Sequence, residues 1–307
     1  VTETTLWDLA SVTKVVATTS LAMIAASAEE GWLDRLVTEF LPEFGANDKG
    51  AITVRHLLRH DAGLPAFRPY HLTCDGPEAV RRAIYAETLK YPTGTKSVYS
   101  DLGMITLQWV LERHLGGTLD RLATEQVFGP LNMTEITFRP ESGRCAPTEP
   151  VEDWRREQRR RRGDATDTNP YVQGEVHDPT AATLDGVAGH AGLFSTMGDL
   201  AKFAQAMLAN QLAPASLQKA FTARQEAKST RGLGWDTKSE TGSSAGERFG
   251  PRSYGHTGFT GTSLWIDPDT RRWAVLLSNR VHPTAENRKI LAVRPNFHDA
   301  VVEDSPL

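Results

Sequence analysis

Residues 11 to 30 read SVTKVVATTSLAMIAASAEE, a stretch with one charge, Lys14, before Glu29. A helix that is apolar on every face belongs in the middle of a domain rather than on its surface, and Gly31 supplies a stop signal. The rest of the chain must therefore be arranged around this segment. Yet Ser11 and Lys14 stand at its very start, where an ammonium group would have to enter the interior. Any fold built on this helix has to account for that lysine.

The elements around it set the fold class. Helical patterns are predicted over 54–59, 77–89, 102–114, 119–127 and 197–209, separated by Gly- and Pro-containing turns such as DAGLP and YPTGT. Residues 140 to 185 lack periodicity. Further on, SLWIDPD and RRWAVLLSNR are two partly alternating apolar runs joined by DPDTR, a hairpin signal. A last pattern over 284–302 predicts a helix packed on that sheet. This order gives an α+β chain: an antiparallel sheet flanked by helices, with a mainly helical region ahead of it. No internal repeat is evident.

At 307 residues there is ample material for a core. The net charge of −4 argues against a dedicated nucleic-acid binder, because such proteins gain affinity by neutralising phosphates. Cys74 and Cys145 cannot form a framework of several bridges and match no metal spacing. The sequence calls for no membrane span, since no apolar run approaches ~20 residues, and no leader pattern is expected before Val1. Periplasmic, extracellular and cytoplasmic locations all stay open, as does the oligomeric state.

S-x-x-K on its own is a weak signal, and Ser216–Lys219 is a second match. That copy lies in a polar amphipathic stretch, where serine is a helix cap and lysine a solvated end. GSSAG at 242–246 fits a nucleophile elbow in letters only, lacking the strand before and helix after it. Ser11 differs from both. Serine and lysine at i and i+3 share a helix face, and burial disfavours the charged form of a lysine. A neutral Lys14 amine is then expected to serve as a base for a Ser11 nucleophile, with the helix N-terminus favouring negative charge beside it.

Two further stretches supply what such a serine needs. VYSDLG places Tyr99 and Asp101 before a helix, and YGHTGFTGTSLWI places His256, Thr257, Gly258 and Phe259 at the head of a strand. With these motifs in this order, together with LLRHDAGLP and GHAGLFSTMGDLAKFAQAML, the chain resembles the penicillin-recognising serine hydrolases: class C β-lactamases, D,D-carboxypeptidases, D-aminopeptidases and β-lactamase-like esterases. The resemblance covers nearly the whole chain. It implies an α/β domain from 1–10 and 186–307, an inserted helical domain from 11–185 with an irregular 140–185 loop, and sheet strands ahead of Val1. It also implies Ser11 as the acylated nucleophile, Lys14 as its base, Tyr99 as a proton relay tuned by His256, and an oxyanion hole from the Ser11 and Phe259 amides. Asp101, Thr257 and Gly258 would line the substrate site, and no metal or cofactor is called for.

Two departures bear on substrate. Asp101 stands where Asn is usual; a carboxylate only accepts hydrogen bonds, and it should hold Lys14 more strongly protonated. His256 stands where most β-lactamases carry Lys, removing a permanent cation. Both favour a short-chain ester or a D-amino-acid peptide over a β-lactam as substrate, with a non-catalytic peptidoglycan-binding module as the alternative from another class. His56 and His60 have i, i+4 spacing without the Glu of a zinc helix. His177, Asp178 and His190 fit a structured loop beside the cleft better than a metal site, for want of a third ligand in register. Six arginines between Arg155 and Arg162 read as a solvated flap or, more sharply, as a basic lid for anionic substrates.

Overall fold

The computed structural model describes residues 1–161, 163, 168–226 and 229–304. Its centre is the helix Ala10–Ala28, which opens with a 3-10 turn, continues through a π-helical segment Lys14–Thr19 and ends as a regular helix Ser20–Ala28. It is 19 residues long and apolar enough to cross a membrane, contrary to the sequence expectation, but 78% of that stretch is buried inside the protein. Two of its buried hydroxyls are satisfied internally: Thr18 donates to the Gly189 carbonyl at 2.7 Å and Ser20 to that of Val15 at 2.9 Å. Burial without orphaned hydroxyls at these two positions suits a core helix.

The sheet follows from the alternating runs near the C-terminal end. Strands β1 (Trp7–Asp8) and β2 (Phe194–Ser195) form a short antiparallel pair. Strands β3 (Asp236–Thr237), β4 (Tyr254–Thr257), β5 (Ser263–Asp267) and β6 (Arg272–Leu276) make a four-stranded antiparallel sheet in that order. The register sets His256 opposite Leu264 and Leu264 opposite Val275. In the β5–β6 turn the Asp267 carboxylate accepts from the Asp269 amide and the Thr270 hydroxyl, each at 2.9 Å, which is the local chemistry that favours aspartate there.

One apolar core joins helices and sheet, containing Leu21 and Met23 of the central helix, Leu107 of the helix Asp101–Leu115, and Leu264 and Val275 of the sheet. The helix Met197–Leu208 packs on β5 and β6. The terminal helix begins at Ile290, six residues later than the pattern predicts, and runs to Asp304 against β6. Phe297, Val301 and Val302 on it cover a second cluster of Ala245, Phe249, Trp265 and Ala274. The helix at 54–59 has the predicted bounds, Thr53 capping it by accepting from the His56 amide.

The 140–185 segment is more ordered than its lack of periodicity suggests. It contains helices Asp153–Arg161 and Pro179–Thr183. Arg155 and Arg159 are buried, and Glu175 pairs with them at 3.3 and 2.8 Å. These two arginines are therefore internal ties, neither a solvated flap nor a lid; Arg162 lies outside the described residues.

Two buried histidines make stability depend on acid. His298 accepts or donates between Ser244 O at 2.7 Å and Ser263 Oγ at 3.2 Å. Burial pushes both His298 and His256 from near 6.5 down to about 4. The unfolded chain thus takes up protons first, so stability is complete above the ordinary histidine pKa and is lost as pH falls toward the depressed one. Thermal unfolding compared between about pH 7.5 and pH 4.5 should show a loss on the order of 3 kcal/mol per histidine, relieved in part in His298→Gln.

Candidate active site

The turn that presents Ser11 is held from three sides. Ala10 adopts a left-handed φ of +45°, a conformation that a non-glycine residue keeps only when its surroundings impose it. Its amide donates to Asp8 Oδ1 at 2.7 Å, and the other Asp8 oxygen accepts from the His177 amide at 2.6 Å. The Asp8 and Leu9 carbonyls accept from Thr260 and Thr262, at 2.7 and 3.0 Å, in the β4–β5 connection. Gly258 packs so closely on the Leu9 carbonyl that a Cβ would collide with it. The serine turn and the His256–Phe259 stretch are thereby locked to each other.

Lys14 is fully buried; its ammonium donates to Ser11 Oγ at 2.9 Å and to the His190 carbonyl at 2.8 Å, and it forms an ion pair with Asp101 Oδ1 at 2.8 Å. This corrects one sequence expectation and bears out another. Burial does pull the lysine pKa down, but the charge of Asp101 and the Tyr99 phenol outweigh it, and the net direction is upward. Lys14 rests as an ammonium rather than as the neutral amine that burial alone would give.

Tyr99 is brought in from the other side. Ser100 caps the helix Asp101–Leu115 by accepting from the Gly103 amide at 3.2 Å, which fixes Tyr99 just ahead of the first turn. The ring lies 4.8 Å from Lys14 Nζ, 4.9 Å from the His60 ring, 5.8 Å from the His256 ring and 4.9 Å from the Arg231 guanidinium. Its hydroxyl interacts with both Ser11 and Lys14; burial raises its pKa and the lysine charge opposes that rise. His256 is buried, with Nδ1 at 2.8 Å from the Thr257 carbonyl and Nε2 unpartnered. At a pKa of about 4 it is neutral at ordinary pH. The Gly258 amide donates to Thr262 O at 2.7 Å, whereas among the described residues the Ser11 and Phe259 amides have no partner. Two free amides flanking the serine are what an oxyanion hole requires.

Ser11, Tyr99, His256, Thr257, Gly258 and Phe259 thus line one cleft of about 580 Å³, and Lys14, with Asp101 behind it, reaches that cleft through Ser11 rather than lining it. The other serine signals do not join it. Ser216 and Lys219 lie on the helix Ala215–Thr222, and Ser244, the serine of GSSAG, sits in a turn where its carbonyl accepts from His298 Nδ1 at 2.7 Å. Folding does supply the third ligand that spacing lacked: Asp101, Asp178 and His190 carry potential ligand atoms within 4.8 Å of one another. The Lys14 ammonium already contacts Asp101, and Asp178 Oδ1 engages His190 Nε2 at 2.9 Å. These donors suit a resident ammonium better than a metal ion.

Sequence reasoning missed the far wall of the cleft. Arg231, Arg280, Arg288 and Arg294 line it. Arg231 pairs with Asp236, while among the described residues the other three have no ion-pair partner. Arg280 donates to the Phe259 carbonyl at 2.6 Å and lies 4.0 Å from the Phe259 ring centroid, and Arg294 donates to the Gly258 and Thr262 carbonyls. No short motif links these positions. These arginines bring positive charge to a cleft in which His256 is neutral.

This arrangement, a serine bonded to a buried lysine between a helical layer and an antiparallel sheet, defines a serine hydrolase of the β-lactamase and penicillin-binding-protein fold. The chain belongs to the beta-lactamase family, whose model matches residues 1–294. It is 33% identical to a protein of Escherichia coli (strain K12) named "Putative D-alanyl-D-alanine carboxypeptidase", over 96% of this chain and 73% of that one. Among solved structures, a beta-lactamase from Mycobacterium bovis superposes with a TM-score of 0.62 at 25% identity, covering 97% of this chain and 87% of the other. A class C beta-lactamase reaches a TM-score of 0.74 at 17% identity, covering 100% and 84%.

Proposed function

We propose that this hydrolase cleaves the C-terminal peptide bond of D-alanyl-D-alanine-type peptides through an acyl-enzyme on Ser11. The observation that carries this reading is the arginine wall beside Phe259, which offers unpaired positive charge to a substrate carboxylate close to the scissile bond. A neutral short-chain ester would leave that charge unused. The E. coli relative's name points to the same substrate class.

In this mechanism the Lys14–Tyr99 couple first loses one proton to solvent; Ser11 Oγ then attacks the carbonyl carbon as its own proton passes into that couple, and the amides of Ser11 and Phe259 take the developing oxyanion. Tyr99 then protonates the leaving D-amino acid nitrogen as the C–N bond breaks. His256, neutral and packed near the Tyr99 ring, shapes the environment of that phenol without adding charge. Water later attacks the ester, releases the shortened peptide and returns the proton to Ser11. On the domain division that the resemblance implies, 1–10 with 186–307 against 11–185, we take this cleft to lie between the two parts.

A β-lactam also carries a carboxylate, so it is the second reading. The test compares kcat/KM for an N-acyl-D-alanyl-D-alanine, its C-terminal amide, p-nitrophenyl butyrate and a chromogenic cephalosporin. The free acid should exceed its amide by about tenfold or more, the scale of a charge-assisted contact. A cephalosporin turned over faster than the peptide would make the chain a β-lactamase, and a preference for the butyrate would make it an esterase.

A further inference from the structure

A second cavity, of about 410 Å³, lies apart from the cleft between the helix Ala215–Thr222, the end of the helix Met197–Leu208 and one side of β3–β4. No residue lines both sites. On β3, Asp236 faces the cleft and Thr237 the cavity; on β4, His256 belongs to the cleft and Tyr254 to the cavity. The volume is in the range of small-molecule sites.

Its lining has a definite chemistry. The floor is buried and mixed, with Met207, Thr222, Thr237 and Tyr254. Gln218, 5% exposed, spends its amide N–H on the Met207 carbonyl and leaves Oε1 without a partner. An orphaned buried acceptor at the base of a cavity calls for a donor from whatever fills it. The rim carries Lys219, Arg224, Arg252 and Arg271, and no carboxylate lines the cavity. Arg252 is neutralised by Asp269. Among the described residues the other three have no acidic partner, Arg224 and Arg271 bonding only to the carbonyls of Lys238 and Leu208. In a chain of net charge −4, a rim of unpaired cations over a buried floor that mixes apolar and hydroxyl-bearing side chains is a selective arrangement.

We infer that this cavity is a second binding site, taking a compact N-acyl amino acid: a carboxylate for the Lys219–Arg224–Arg271 rim, an N–H for Gln218 Oε1 and a small apolar body for the floor. The site does no chemistry, since no nucleophile or base is poised there. It is independent of the acyl-enzyme reading, because it shares no residue with the cleft.

N-benzoylglycine, which has all three features, is the probe. Titrated into the full chain and followed by calorimetry and by amide shifts, it should bind saturably in the millimolar range or tighter, with the shifts centred on residues 207–224 and 251–254. Its methyl ester should bind about tenfold more weakly or worse. Lys219→Glu with Arg271→Glu should abolish binding, and Lys219→Gln, a change at an exposed side chain that spares the fold, should weaken it. Arg280→Ala, in the cleft, should leave it unaltered. Absence of saturable binding, equal binding of acid and ester, or binding that follows Arg280 instead of Lys219 would each overturn the inference.

Discussion

Ser11→Ala should reduce turnover of any substrate by about a thousandfold or more, because without the Oγ there is no atom to carry the acyl group. The fold should survive. Ser11 is only part-buried, and its Oγ accepts from Lys14 Nζ and meets the Tyr99 hydroxyl. Lys14 keeps its contacts with Asp101 and the His190 carbonyl in the variant. Melting temperature should therefore fall only modestly, since Lys14 loses one acceptor and keeps these two. Mass spectrometry separates this result from a trivial one: the parent chain gains the mass of a slow acylating substrate and the variant does not. A variant that still turns over, or still acylates, would place the nucleophile elsewhere and remove the proposed mechanism.

Much of this was legible in the sequence, for identifiable reasons. The central helix announced itself because an apolar face on every side leaves one place to go. The β5–β6 hairpin was readable because Asp267 satisfies its own turn locally. Ser11, Lys14, Tyr99 and His256 could be found because each sits in a short motif with local geometric meaning. What stayed hidden depends on long-range placement. The arginines at 231, 280, 288 and 294 meet only because a sheet, a loop and the terminal helix converge on Phe259. Arg155 and Arg159 looked solvated because Glu175, their partner, lies beyond the end of their own helix. The charge state of Lys14 was also partly hidden. Burial alone argues for a neutral amine, and the opposite answer comes from a 2.8 Å contact with Asp101 across 87 residues of chain.

That contact makes Asp101→Asn the most informative substitution in the cleft. At rest both groups able to take the Ser11 proton are protonated: against its burial the Lys14 pKa is raised by Asp101 and Tyr99, and the Tyr99 pKa is raised by burial. Deprotonation of one of them must precede attack, so kcat/KM should climb with pH along an acidic limb set by that group. The Asp101 charge raises the pKa of Lys14 and of Tyr99 alike. Replacing it with a neutral amide lowers both, and the acidic limb moves to lower pH whichever group serves as base. Removing a close opposite charge from an ammonium shifts it by about 1–3 pH units, so kcat/KM below the parent's limb should rise about tenfold or more. The Asn side chain keeps an acceptor for Lys14 and adds a donor toward the cleft, which preserves the packing. A pH profile of kcat/KM for parent and variant on one D-peptide reads this directly. An unmoved limb would mean that neither Lys14 nor Tyr99 governs activation, and a limb moved to higher pH would mean that Asp101 itself accepts the proton during attack.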